Sequence, residues 1–250
     1  MLFHIIASGS KGNCTVIYNK TTRILIDMGI SLVRLKEGLK EINLSLEDID
    51  GIVFTHEHSD HISGYRFLSP KKTYGLYGTL PSSLGNVVEL NKEFYIKDFT
   101  ITPFKTSHDA SNPCGYLIKD NKENLVYMTD TGYFVESNLD LIKNPDYLII
   151  ESNHDISMLM GSGRPMILKR RILSEVGHLC NEDSAIASCK IIGNKTKEIV
   201  LAHLSEECNT PQKALDAYSS IFNHFGVNLN NCTIKVSKQY ESIDGGTYEN

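Results

Sequence analysis

Behind the apolar run Ile52-Val53-Phe54 the chain reads Thr55-His56-Glu57-His58-Ser59-Asp60-His61, three imidazoles and two carboxylates within six residues. In extended chain, residues two apart face the same way, so His56 and His58 can share one ion. Asp60 and His61 fall where a helix over 62–68 is expected to begin. That turn sends them toward a neighbouring point and sets the Asp60 carboxylate near a positive helix end. A lone HxH pair is ordinarily a solvated loop; HxHxDH directly behind a buried strand points to two adjacent ion sites.

Each ion needs at least three protein groups and a position for water, more than these four residues supply. Three other strand-like runs end in a ligand type: 99–104 runs into His108, 125–129 into Asp130 and 198–201 into His203. A carboxylate can bridge two ions about 3.5–4 Å apart, which makes Asp130 the natural bridge. His108 would then complete the first site and His203 the second. Any one of these alone passes for a satisfied polar core residue, but the same strand-end setting three times favours ligation.

The elements that must position these groups follow from periodicity. Short β-branched runs at 2–7, 15–18, 24–27, 51–55, 99–104, 115–118, 125–129, 147–150, 198–201 and 233–236 predict strands. Helical patterns cover 32–42, 62–68, 166–176, 183–192 and 211–225, the last with Thr210 as N-cap and Pro211 at the first helical position. Hairpin-like spacing among the first strands favours an α/β (α+β) sandwich of two mixed sheets with helices outside over a doubly wound parallel sheet. With 250 residues, 41% of them apolar, and no repeat or linker-like tract, one domain spanning 1–250 is expected. Six scattered cysteines without CxxC read as reduced thiols. The absence of a signal-like start or a long apolar run gives the expectation of a cytoplasmic, unanchored protein. The sequence is compatible with an oligomer.

A formal charge of −5 excludes a general electrostatic attraction to polyanions, so any phosphate contact must be local. Two candidates exist. Lys169-Arg170-Arg171 is a short basic cluster, if not simply a solvated helix face. Ser8, Ser10, Lys11 and Asn13 lie in the Gly-containing stretch SGSKGN, where backbone N–H groups can approach a phosphate, if it is not an ordinary hairpin turn.

The order HxHxDH, histidine, aspartate, histidine resembles the metallo-β-lactamase superfamily. The resemblance implies an αββα fold and two divalent ions (Zn, Mn or Fe), one held by His56, His58 and His108 and the other by Asp60, His61 and His203, with Asp130 between. It makes Asp27, ending ILIDMG, a residue that orients ligands. Asp130 in TDTG is unlike the lactam-hydrolysing branch, and His58 is unlike the oxygen-reducing diiron branch. The segments SGSKGNC, ESNHD, LKRRILSEVGHLCNEDSA and LAHLSEECN look like the YycJ (WalJ) group of metal-dependent exonucleases, with Cys180 standing where that group is expected to carry serine. This implies 5′-to-3′ degradation of DNA by a hydroxide held between the ions. Asp60 would accept its proton and His178 would donate to the departing oxygen, with Glu151 and His154 placed to orient His178. Small-molecule phosphodiester or thioester hydrolysis by the same ions is the alternative, and a non-catalytic binding module the non-enzymatic one.

Overall fold

Phe3 and Ile5 alternate with His4 and Ile6 along β1 (Leu2–Ala7), and both sets are buried. A strand covered on both faces must lie inside a layered structure. The computed structural model describes residues 1–69, 72–80, 85–228 and 232–247. Two sheets face each other. The first runs β14 (Ile243–Gly246), β1, β2 (Cys14–Tyr18), β3 (Arg23–Ile26), β4 (Gly51–Phe54), β5 (Thr73–Gly75), β6 (Asn86–Val87). The second runs β13 (Thr233–Val236), β12 (Glu198–Ala202), β11 (Tyr147–Glu151), β10 (Asn124–Met128), β9 (Cys114–Lys119), β8 (Phe99–Lys105), β7 (Phe94–Ile96). Each is mixed: β14 through β3 and β10 through β7 pair antiparallel, while β3 through β6 and β13 through β10 pair parallel.

Between the sheets, Phe3, Ile5, Ile24 and Ile26 pack with Phe99, Ile101, Tyr116, Tyr127 and Ile149. The outer face of the first sheet, with Ile6, Leu25 and Phe54, is covered by Leu35 and Leu39 of α1 (Leu32–Glu41). That of the second, with Leu148, Ile150 and Leu201, is covered by α6 (Asn181–Ile191) and α7 (Pro211–Phe225). Each fully buried Ile, Leu or Phe contributes roughly 1.5–3 kcal/mol, so this layering is what the apolar alternation selects. The expected αββα sandwich is the observed one.

Two helices depart from expectation. The 62–68 segment is instead α2 (Ser59–Ile62) followed by a 3₁₀ turn at Tyr65–Phe67, broken at Gly64, whose N–H is taken by the Met28 carbonyl at 2.8 Å. The 166–176 segment stops early as α5 (Met166–Ile172), because the His178 N–H folds back onto the Ile172 carbonyl. The short strands β5, β6, β7 and β14 and the helices α3 (Leu139–Ile142) and α4 (Ile156–Gly161) were not expected. At the start of α6 the Cys180 thiol serves as N-cap, accepting from the Asp183 N–H at 3.4 Å, so the departure from serine keeps the cap with a weaker acceptor. No helix among the described residues is long and apolar enough to cross a membrane.

Candidate metal centre

Strand ends build the centre. Asp27 follows β3, His56 and His58 follow β4, His108 follows β8, Asp130 follows β10 and His203 follows β12. Asp27, Asp130 and His203 all have left-handed backbone, with φ of 61°, 55° and 55°. For residues other than glycine this conformation costs of order 1–3 kcal/mol and persists where the surroundings enforce it, commonly at functional sites.

Among the described residues, side-chain nitrogen and oxygen atoms converge in four overlapping groups, His56–His58–His108, Asp60–His61–His203, His56–His61–Asp130 and Asp130–Glu151–His178–His203, each within 4.8 Å. Asp130 lies between: its Oδ2 is 3.2 Å from His61 Nε2, and its Oδ1 is 3.6 Å from His203 Nδ1 and 3.8 Å from His108 Nε2.

Outer partners fix the rings. Asp27 Oδ2 accepts from His61 Nδ1 at 2.8 Å, while Oδ1 accepts from the Thr55 N–H at 2.8 Å, which leaves His61 Nε2 facing Asp130. His108 Nδ1 donates to the Gly177 carbonyl at 3.0 Å. Glu151, fully buried, takes His203 Nδ1 at 3.0 Å and His178 Nδ1 at 2.7 Å on one oxygen, and the Thr131 and Leu179 N–H groups on the other. His178 sits on the rim, its side chain 15% exposed.

Burial, helped by the neighbouring imidazoles, pushes His56 down to about 2 and also lowers His108. Burial opposes the charged forms of His61 and His203 as well, but Asp130 and the neighbouring carboxylates outweigh it, raising His203 to about 10 and His61 well above its usual value. Asp130, although buried, is held far below the carboxylate range by His203 and His61. Asp60 is also lowered, by His203 and His61 against its burial, and the Glu151 carboxyl falls to about 2 beside His178. Desolvation raises Asp27 despite its histidine partner. The centre is thus a buried anionic pocket lined by imidazoles, a field that favours a cation.

The donor set fits divalent ions. Among the described residues His56 Nε2, His203 Nε2 and Asp130 Oδ2 are buried without a hydrogen-bond partner. Each such atom costs about 1–3 kcal/mol unless something else satisfies it. Imidazole and carboxylate ligands suit zinc, manganese and iron alike.

The other candidates divide. Ser8 is buried, and its hydroxyl accepts from the His203 N–H at 2.8 Å. Asn13 is buried too; its amide donates to the Gly9 and Asp60 carbonyls and lies 3.1 Å from His61 Nε2. Both therefore support the centre rather than meet substrate. Ser10 and Lys11 are exposed, Lys11 pairing with Glu206 at 2.8 Å. The basic cluster is not a free phosphate clamp: Lys169 is buried and donates to the Met160 and Ser162 carbonyls, and exposed Arg171 is engaged by both oxygens of Asp109, which among the described residues leaves Arg170 exposed and unpaired. His154 is buried with neither ring nitrogen bonded to His178, so the expected orienting contact comes from Glu151 alone. Sequence reasoning missed Thr55, which ties Asp27 to the loop, and Asn153, whose amide donates to the His203 carbonyl at 2.9 Å.

Gly29 gives one test of this packing. A Cβ there would fall 1.6 Å from the Asp60 carbonyl oxygen. Gly29→Ala must displace the Asp60-His61 turn, and overpacking of this kind costs about 1–3 kcal/mol. We expect a lower melting temperature together with loss of at least one bound ion per chain by elemental analysis. A variant with full metal content would refute the tight approach.

Paired sheets with helices outside, opening at their strand ends onto an anionic histidine cage, define a class of metal-dependent hydrolase. Residues 22–204 match the Beta-lactamase superfamily domain, and the chain belongs to that superfamily. It is 36% identical over 237 residues to exodeoxyribonuclease YycJ of Bacillus anthracis, covering 90% of each chain. It is 38% identical over 227 residues to exodeoxyribonuclease WalJ of Streptococcus pneumoniae, covering 85% of this chain and 84% of that one. Among solved structures, the metallo-beta-lactamase fold protein YhfI from Bacillus subtilis shares the fold at a TM-score of 0.70 and 18% identity, covering 97% of this chain and 99% of that one. The family expected from HEHSDH is the family found.

Proposed function

We propose that this chain, acting as one domain in the cytoplasm, is a metal-dependent nuclease that degrades DNA from the 5′ end. The observation that carries this reading is an intact ligand set in a chain similar over 85–90% of its length to proteins named exodeoxyribonucleases. His56, His58 and His108 would hold one ion, Asp60, His61 and His203 the other, and Asp130 both. Ions bound there would neutralise phosphate charge and bring the pKa of a bound water from about 15.7 to about 7.

The remaining work falls to the chain. Asp27 holds His61 with its Nε2 turned inward. Asp60, whose side chain is 22% exposed, is a proposed ligand from which a proton can pass outward to solvent after attack at phosphorus. Glu151 fixes His178 through Nδ1, which leaves Nε2 to carry a proton to the departing oxygen. A group in that role commonly contributes about 10²–10⁴ in rate.

End-labelled single-stranded and duplex DNA and RNA, digested after metal removal and defined return of zinc, manganese or iron, test the reading. Release of the 5′-terminal nucleotide first, only with metal, is expected. With Lys169 and Arg171 already engaged by the protein, the salt dependence should be shallow. Turnover confined to thioesters or small diesters would overturn it.

A further inference from the structure

Beside His108, the one proposed ligand among its described lining residues, a cavity of about 760 Å³ lies between Leu76, Tyr77 and Val87 on one side and the β8–β9 connection on the other. Its size is in the range that encloses a nucleoside-sized group. Its walls are unlike those of a phosphate groove. Among the described lining residues Lys105 is the one lysine or arginine, and Glu89 offsets it. The rest is largely apolar or aromatic and turned to solvent: Tyr77 is 75% exposed, Val87 61% and Val176 43%. Contiguous exposed apolar surface leading out of a reaction centre marks a binding surface.

The segment carrying Tyr77 is tied to the metal loop. Its carbonyl accepts from the Asn112 amide at 2.8 Å, and the neighbouring Ser111 N–H donates to Glu57 of HEHSDH at 2.7 Å. The aromatic ring is therefore carried on backbone that is fixed with respect to His56 and His58.

We propose that this groove takes an unpaired nucleobase next to the scissile phosphate, stacked on Tyr77; the inference rests on the nuclease reading above. A wall almost free of cations cannot follow a polyanionic backbone, but it suits bases. Stacking needs an exposed base face, which a closed duplex hides, so the groove selects single-stranded DNA or a frayed end. Base–aromatic stacking is tolerant of sequence, as an enzyme that degrades successive nucleotides requires.

The test uses the metal-loaded protein, Tyr77→Ala and Tyr77→Phe, with a single-stranded oligodeoxynucleotide and with a cleavage-resistant phosphorothioate version carrying 2-aminopurine at its 5′-terminal positions. Tyr77→Ala should raise KM for the oligonucleotide roughly ten-fold, within the range that loss of one stacked base allows. It should also abolish quenching of the 2-aminopurine, while Tyr77→Phe behaves as the parent. If the parent cleaves DNA and Tyr77→Ala matches it in KM and quenching, the groove assignment falls and the nuclease reading stands. If the parent quenches through Tyr77 but cleaves no nucleic acid, the reading falls and base binding stands. If it does neither, both are overturned.

Discussion

Asp130→Ala is expected to abolish turnover and strip the centre of at least one of its ions. Asp130 is the carboxylate that reaches both ligand groups, at 3.2 Å from His61, 3.6 Å from His203 and 3.8 Å from His108. Its removal takes a buried negative charge from between the two proposed cations, and the separation of the ions then has nothing to offset it. Acidification of a bound water from about 15.7 to about 7 is worth many powers of ten in available nucleophile at neutral pH. Partial loss of it therefore costs on the order of 10⁴-fold or more. Two variants separate charge from backbone. Asp130 has φ 55°, where alanine is strained and asparagine is tolerated. Asp130→Asn should keep the parent's melting temperature yet still lose metal and activity, whereas Asp130→Ala should also melt earlier. In the metal-free protein the same substitutions should lower the His203 pKa, since Asp130 is the strongest influence holding that ring's proton against burial. Elemental analysis, DNA digestion and imidazole NMR report the three effects. Full metal content with undiminished turnover in Asp130→Asn would remove the central carboxylate from the mechanism.

The proposed ligands were legible because each stands at the end of an apolar run, and a strand end is where backbone pairing stops and side chains are free to converge. HEHSDH, His108, Asp130 and His203 share that setting, and Asp27 carries it on the parallel neighbour of β4. What was misread depended on contacts between elements. Lys169 read as one member of a basic cluster for phosphate contacts. It turns inward because α5 packs beside α4, whose last carbonyls need a donor, and nothing in the periodicity of a six-residue helix announces it. Ser8 and Asn13 read as a phosphate loop, but in the β1–β2 connection the Ser8 hydroxyl is taken by the His203 N–H and the Asn13 amide donates to the Asp60 carbonyl. The strands β5, β6 and β7 are two or three residues long, too short to show alternation, and of them Val87 of β6 lines the groove beside His108. Thr55 and Asn153 act through hydrogen bonds to Asp27 and His203 that exist only once distant strands are paired.

His178→Ala should lose about 10²–10⁴ in kcat on DNA while keeping its metal: although its ring lies within ligand reach of Asp130, Glu151 and His203, its Nδ1 is taken by Glu151 and it is not one of the proposed ligands. Glu151→Gln should behave differently. Its shared oxygen serves both His178 and the metal-site ring of His203, so the amide weakens metal affinity by about 10–100-fold as well as freeing the His178 tautomer. Loss of rate alone would not distinguish a proton donor from a wall of the site; leaving-group dependence does. Thymidine 5′-(4-nitrophenyl phosphate) releases 4-nitrophenolate, which departs without a proton, whereas a deoxyribose oxygen needs one. A donor at His178 Nε2 makes His178→Ala severely impaired on DNA and close to the parent on the activated ester. Equal losses on both substrates would assign His178 to shaping the rim, and retained DNA turnover would take it out of the reaction altogether.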